Sequence, residues 1–356
     1  MAIKINPNHQ LLWRDTNVLQ LGVGAASVQL SGLTSAEERF IDALYFGLPT
    51  DAIGPMAHQL RVSEPRSREL LDAVSPLLVR TPQTEPDPTQ YTAVAAAERV
   101  RASLANGADH RLVLTKRKTS TVFIAEMDAT GLTVLLALAA AGVGTVVSRD
   151  SAMVSREDAA TNLYPLALVG RPRVAAARLI LDSSWPGTRL LNYSKLGDRR
   201  TVRYDVAMLT SHQVTDPAAV GAWRTGEIPV IEVRYQPDGV EVSPVLDGRD
   251  GCLVCRDHRL QDLDPSHIAM CSQLFGSDLR FDDAAARLVG SGLAVSSVLQ
   301  YIDAGIAVAH HRYDRDADAV YSYPTWGAHP ACGCGVWSRL GAAEAETQSE
   351  TQRQTR

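Results

Sequence analysis

Nothing in this 356-residue chain approaches the roughly 18 consecutive apolar residues that a membrane-spanning helix needs; the longest apolar run is the 13-residue "LTVLLALAAAGVG". The N-terminus "MAIKINPNHQ" has neither the apolar core nor the cleavage site of a secretory signal. These absences predict a cytoplasmic chain with reduced cysteines. Positive charge is not in excess either: 35 Lys and Arg stand against 40 Asp and Glu, a net charge of -5, where a nucleic-acid partner would leave a basic patch. Glycine is scarce where it would matter most. "FIAEMDATGLTVLLALAAAGVGTV" runs from strand to turn to helix to strand like a nucleotide-binding loop, yet its turn, Glu126 to Gly131, keeps only Gly131.

What is present describes a globular protein: hydrophobic residues make up 45% and charged residues 21%, enough for a sizeable core, and the length predicts two domains. In residues 1–80, "LLWRD", "VLQLGVG" and "ASVQLSGL" alternate as half-buried hairpin strands do. Three helices follow: one capped by Thr34 or Ser35, one from Thr50 or Asp51 to Leu60, and one through Ser67 to Leu78. This is a small winged-helix pattern. Residues 81–90 hold the prolines of "RTPQTEPDPTQY" and predict a semi-rigid linker. Beyond it, strands are expected at Leu112–Leu114, Val122–Ala125, Thr145–Ser148, Val206–Leu209 and Val230–Val233. Helices are expected at Tyr91–Ala105, Leu132–Ala141, Arg171–Leu181 and Ala284–Ala304. This alternation predicts an α/β domain with a mostly parallel sheet over residues 91–340. Residues 341–356, "GAAEAETQSETQRQTR", have nothing to bury and read as a disordered tail.

Four of the five cysteines form two close pairs, Cys252 with Cys255 in "GCLVC" and Cys332 with Cys334 in "PACGCG". Two thiolate pairs can close a tetrahedral shell, and four sulfurs leave no place for water, so the expected ion is a structural zinc. The competing reading is two unrelated reduced pairs in turns, with His258 and His329 near enough to replace one thiolate. Cys271, in "HIAMCSQLF", reads as a small buried residue without a base beside it.

A phosphate cradle needs glycines so that backbone N–H groups can approach the phosphates. Here Glu126 and Asp128 stand at that helix start, where carboxylates can cap the helix instead. Asp150, about twenty residues on, ends the next strand where an acid would hold a ribose hydroxyl. Gly131 and Asp150 are thus all that is left of a nucleotide pocket.

"LAAAGVGTVVSRD", "GRPRVAAARL", "GCLVCRDHR" and "HPACGCG" together resemble the ThiF-type adenylyltransferase superfamily, the fold shared with ubiquitin-activating enzymes. More narrowly they resemble its actinobacterial branch associated with azoline-forming peptide modification, described as cyclodehydratase partners or leader-peptide-binding proteins. The resemblance implies a ThiF-like Rossmann-type sheet with zinc held by Cys252, Cys255, Cys332 and Cys334. It also implies a homodimer. Measured against active members, the chain lacks the GxGGxG turn, the Arg after an Asn-Leu pair (Tyr164 and Pro165 follow Asn162 and Leu163), and the Lys in the segment of Arg171 and Arg173. The magnesium-binding Asp after "DVAMLT" is also missing; Ser211 and His212 stand there. Four losses of phosphate-holding groups predict a pseudoenzyme without ATP or magnesium.

The N-terminal pattern resembles the PqqD-type winged helix that binds leader peptides of ribosomally made natural products. That implies an extended peptide added to a sheet edge, lined by Ser27–Leu33 and Ser67–Leu78, and delivery of the precursor to a cyclodehydratase. Three other readings are an adenylyltransferase whose phosphate contacts come from Arg171, Arg173 or a partner chain, a DNA-binding winged helix, and an N-terminal domain that is only a packing module for the sheet domain. The second has little support from residues 1–80, whose seven Lys and Arg face eight Asp and Glu and would gain little from counterion release.

Overall fold

The computed structural model describes residues 2–16, 18–24, 27–81, 96–104, 110–185, 187–196, 203–216, 220, 228–246, 251–277, 279–306 and 309–334. They form two compact units, Met1–Lys116 and Arg117–Arg356. Most of the expected linker and the whole expected tail lie outside the described residues.

In the first unit, β1 (Ala2–Ile5) is followed by the three strands expected from alternation, β2 (Leu11–Asp15), β3 (Val18–Leu21) and β4 (Val28–Ser31). The last three make an antiparallel sheet in the order β2-β3-β4. Helix α1 (Ser35–Phe46) is capped by Thr34: the Thr34 hydroxyl accepts the Glu37 N–H while the Glu37 carboxylate accepts the Thr34 N–H, a reciprocal capping box. β5 (Leu48–Pro49), α2 (Ile53–Gln59), α3 (Glu64–Val74) and β6 (Leu78–Thr81) complete the unit's first part. β1 pairs with both β5 and β6 in a second antiparallel sheet. The helix expected to run to Leu78 stops at Val74, because Pro76 cannot continue the hydrogen-bond ladder, and the chain turns into β6. Leu19, Leu21, Leu30, Phe40, Ile41, Leu44, Leu70 and Val74 pack as the core.

The strand expected at Leu112–Leu114 is not formed. Those residues lie in helix α5 (His110–Thr119), which follows α4 (Ala96–Leu104), and Val113 and Leu114 are buried with Ala102. A three-residue apolar run has no period long enough to separate strand from helix.

The second unit is built on an eight-stranded sheet in the order β14-β13-β12-β11-β10-β7-β8-β9. Its parallel part comprises β7 (Thr121–Ile124), β8 (Thr145–Ser148), β9 (Arg189–Asn192), β10 (Val206–His212) and β11 (Val230–Gln236). An antiparallel extension, β12 (Gly239–Val242), β13 (His310–Asp314) and β14 (Ala319–Tyr323), continues from β11. Alternate residues face opposite sides, as the pleat requires. Val122, Ile124, Val146, Met208, Ile231 and Val233 enter the main core. That core packs under α6 (Ala129–Ala140), α8 (Arg173–Ser184) and α11 (Ala284–Ala304); the short α7 (Arg156–Ala160) lies between α6 and α8 in the chain. Phe123, Val147, Ala207 and Leu209 face the other way, towards Leu253 at the start of α9 (Leu253–Leu263). Helix α10 (His267–Leu274) follows α9.

Arg117, fully buried just before β7, makes two bonds to the Asp303 carboxylate near the end of α11, at 2.8 and 2.6 Å, and a third to the Ala141 carbonyl at 3.0 Å. This fork fixes the long helix to the sheet. Because β7 has β8 on one side and β10 on the other, the strand order reverses between β7 and β10, the position at which open α/β sheets place a ligand crevice beyond the C-terminal ends of the strands. Among the described residues no helix is long and apolar enough to cross a membrane.

Candidate functional site

The turn from β7 into α6 forms one wall of this crevice. Asp128 caps α6, accepting the Gly131 N–H at 2.9 Å, and its second oxygen pairs with Arg280 at 3.0 Å. Burial raises the Asp128 carboxyl above the ordinary carboxylate range, against the pull of the Gly131 N–H and Arg280. One of the free N–H groups at this helix N-terminus is therefore bonded by the protein's own carboxylate. Glu126 is no cap: it is exposed, and crowding by the surrounding protein, then Asp128 and Asp150, raises it to about 7. Gly131 serves close packing, since a Cβ there would sit 1.9 Å from the Glu126 carbonyl oxygen.

Asp150 accepts the Met127 N–H and the Ala152 N–H, both at 2.7 Å. It fastens the β8 end to the turn. Tyr164 is buried and donates its hydroxyl to the Met127 carbonyl at 2.6 Å. Arg173 grips Asp158 with two bonds of 2.9 Å, so its fork is committed to the protein, while Arg171 is exposed.

His212, at the end of β10, completes the crevice. It stacks on Tyr235 at 5.3 Å between ring centres. Its Nδ1 accepts the Phe281 N–H at 3.3 Å, which leaves the proton on Nε2, 3.9 Å from Asp282. Burial, then Arg280, lowers its pKa to about 4, so the ring is neutral at pH 7. Asp128, His212 and Asp282 come within 4.8 Å of one another. Yet a protonated Nε2 and an Asp128 engaged by Gly131 and Arg280 make a poor donor set for a cation.

The four paired cysteines converge. Sγ–Sγ distances are 3.7 Å for Cys252–Cys255, 3.6 Å for Cys252–Cys332 and 3.3 Å for Cys255–Cys334, and all four lie within 4.8 Å of one another. A tetrahedral zinc with bonds of about 2.3 Å separates its sulfurs by about 3.8 Å, so this cluster fits such an ion. Gly251 takes φ +99°, a conformation that leads directly into Cys252, and a Cβ there would meet the Gly327 carbonyl oxygen at 2.5 Å. Burial raises the Cys252 thiol to about 12. Cys255, which burial alone would raise, is lowered by the His329 N–H that donates to its sulfur at 3.3 Å, favouring the thiolate form that binds metal. His258 and His329 do not replace a thiolate: they stack at 5.0 Å, and the His329 ring bonds Asp262 at 2.8 Å and accepts the Ala331 N–H at 3.1 Å. They support the cluster from outside.

Sequence reading missed a polar network on the sheet face beside the cluster. Glu232, 1% exposed, accepts from Ser211 at 2.7 Å and also from Thr215 and Arg256. Burial would raise its carboxyl, but Arg256 and then Arg234, with the Thr215 and Ser211 hydroxyls, hold it at about 2. Its one visible sign was an acid inside the otherwise apolar start of β11, "VIEVRY". Cys271 also differs from expectation: it is only partly buried, and His267, one helical turn earlier, lies 3.5 Å from its sulfur. Burial, then Asp257, raises its thiol, so the pair is not an activated nucleophile.

The strand order defines an α/β fold with a large, mostly parallel sheet, which matches a ThiF-like Rossmann fold. The chain is similar to E. coli MccB with ATP, at TM-score 0.67 and 15% identity over 94% of this chain and 99% of that one. It is similar also to the microcin C7 biosynthetic enzyme MccB in complex with N-formylated MccA, at 0.66 and 14% over 94% and 100%, and to PaaA, at 0.60 and 15% over 90% and 99%. At such identities the likeness concerns the fold alone. No protein-family model matches the sequence, and no curated protein sequence matches it.

Because Glu232 titrates at about 2 in the fold against 4.5 for an ordinary Glu, its contribution is complete above pH about 4.5 and vanishes as pH falls towards 2. Glu232→Gln is expected to lower unfolding free energy at pH 7 by about 3 kcal/mol. Urea titrations from pH 7 to 2.5 should show mutant and parent converging on the acid side; a constant gap would contradict this role.

Proposed function

We propose that this protein is a catalytically silent ThiF-like carrier that binds a peptide or protein partner and presents it to a separate modifying enzyme. The leading case is the leader peptide of a ribosomal precursor delivered to a cyclodehydratase. The observation that supports silence is the Asp128 carboxylate bonded to Gly131 and Arg280, which occupies the helix end where an adenylyltransferase holds phosphate. On this reading Gly131 and Asp150 are vestiges of the nucleotide pocket, kept for packing and for fastening the turn.

The first unit supplies the peptide site, as a winged-helix recognition domain. β4 is an edge of its sheet, and α3 packs beside it, the arrangement that lets an extended peptide add a strand while a helix offers side-chain pockets. That the similar MccB forms complexes with N-formylated MccA agrees with a peptide partner. Deleting residues 1–81 is expected to abolish capture of the precursor in a pull-down while the remainder keeps its circular dichroism; undiminished capture would count against this assignment.

A structural zinc in the cysteine cluster belongs to the same proposal. Elemental analysis should find one zinc per chain. Removal by a strong chelator should unfold the second unit, since such ions contribute on the order of 10 kcal/mol; a metal-free protein with unchanged melting would refute it.

A second reading, an adenylyltransferase with an unorthodox phosphate site, gains support from the MccB likeness, because MccB is found with ATP. Pyrophosphate release assayed with ATP, magnesium and precursor separates the two. The carrier reading expects none above background, and turnover would overturn it.

A further inference from the structure

The first turn of α11 carries a buried cation that the protein leaves without a counterpart. Arg287 is 7% exposed, yet among the described residues its guanidinium makes no ion pair and no hydrogen bond. Its Nε is sealed from solvent, whereas the two terminal nitrogens are not, so a ligand reaches the group by its outer edge. Arginine is almost never buried in this way without a partner, because an unpaired charge gives up its hydration for nothing in return.

The acids around it are already engaged. Asp283, one helical turn earlier, caps α11 through the Ala285 and Ala286 N–H groups and pairs with Arg315. Asp128 and Asp282 share Arg280. Tyr235 places Arg287 at the same corner. Burial lifts the Tyr235 hydroxyl above the ordinary tyrosine range, the Thr130 hydroxyl 2.8 Å away opposes this, Asp128 and Asp282 add to it, and Arg287 opposes it. The helix sits on the sheet too closely for anything to pass beneath: a Cβ on Gly290 would lie 2.9 Å from the Val240 side chain. Tyr235, 0% exposed, and Ser291, 1% exposed and one turn further along α11, are closed off as well.

We infer that Arg287 is the recognition residue for one carboxylate of the peptide partner, an acidic side chain or a free C-terminus, received by the two terminal nitrogens of its guanidinium. The inference rests on the carrier reading above for the source of the carboxylate; the demand for an anion comes from Arg287 itself. A planar carboxylate matches the guanidinium edge with two parallel bonds. Charge selects it over phosphate. Asp128 and Asp282 carry two negative charges against the one positive charge of Arg280, so a dianion would meet a corner with negative charge to spare, and a single carboxylate adds least.

Isothermal titration calorimetry on the full-length chain tests this with acetylated pentapeptides of Gly and Ser that differ in one group. The first has a central Asp and an amidated end, the second no Asp and a free C-terminus, the third a central Asn and an amidated end. At least one of the first two is expected to bind one to one at millimolar concentration, roughly tenfold or more tighter than the third, as a charged hydrogen-bond pair requires. Arg287→Met should abolish the difference. Melting without ligand is an independent readout: replacing an unpaired buried charge by an apolar side chain of similar length costs nothing, so Arg287→Met should melt at or above the parent's temperature.

A variant that melts well below the parent would reveal a structural partner for Arg287 and overturn the inference, as would equal affinities for all three peptides or binding that survives in Arg287→Met. Binding of inorganic phosphate but of no peptide would assign the site to a phosphate ligand, and binding of acetate but of no peptide to a small acid. Melting that rises with protein concentration in the parent alone would assign it to a carboxylate of a second copy; each of these overturns it. Precursor capture through residues 1–81 with no carboxylate peptide bound would defeat this inference and leave the carrier reading standing. Binding of a carboxylate peptide that depends on Arg287, with no precursor capture, would keep the carboxylate site and remove the carrier reading.

Discussion

The carboxylate of Asp128 is buried at the start of α6, where it meets the Gly131 N–H and the Arg280 guanidinium. A buried charge is tolerated only when it is paired and hydrogen-bonded, so this carboxylate dictates its surroundings. It needs the helix N-terminus, with its unsatisfied N–H groups, and a cation drawn from a segment 152 residues away in the chain. Gly131 lets the helix approach the Glu126 carbonyl closely enough to hold the turn, and Asp150 and Tyr164 bind the backbone of Met127 from two sides. Once these contacts exist, the Gly131 N–H and the Arg280 guanidinium are both committed to Asp128.

On the same unit, helix α9 couples two features that would otherwise be separate. Its entry residue Cys252 and its first-turn residue Cys255 belong to the sulfur cluster, and the next residue, Arg256, bonds Glu232 on β11. Fixing the cluster therefore fixes the guanidinium that neutralises a carboxylate inside the sheet face. Beyond Glu232, the register places Arg234, Glu241 and Arg312 directly opposite one another on β11, β12 and β13, and ion pairs join them in sequence. Cross-strand pairs of opposite charge stabilise such an antiparallel extension. Arg234, at the end of this ladder, also lines a cavity bordered by α10, a helix that buries none of its residues.

Much of the fold was legible because its signals are local. Alternation in the first hairpins, a cap at Thr34 or Ser35 and the apolar runs "TVFI", "TVVS" and "VAML" are each complete within a few residues. The misses have the opposite character. β5, with two residues, is too short to show a period, and Leu112–Leu114 sits equally well in a helix. Strands β12 to β14 follow one another as an antiparallel ladder only after α11 has crossed the sheet. The cysteine pairs were visible as candidates because their residue type is rare in the chain; the networks of Glu232 and Asp128 were not, because Glu, Asp and Arg are common and their partners lie far away in sequence.

The sequence by itself determined the strand–turn–helix frame, the loss of its glycines and the two cysteine pairs, since each is a matter of residue type at short spacing. Tertiary structure alone decided that the four sulfurs converge, that Arg280 meets Asp128, and that Arg256 meets Glu232 inside the sheet face. Charge pairing and cavity shape arise between segments brought together by packing, and no local pattern records which distant residue will fill a given place.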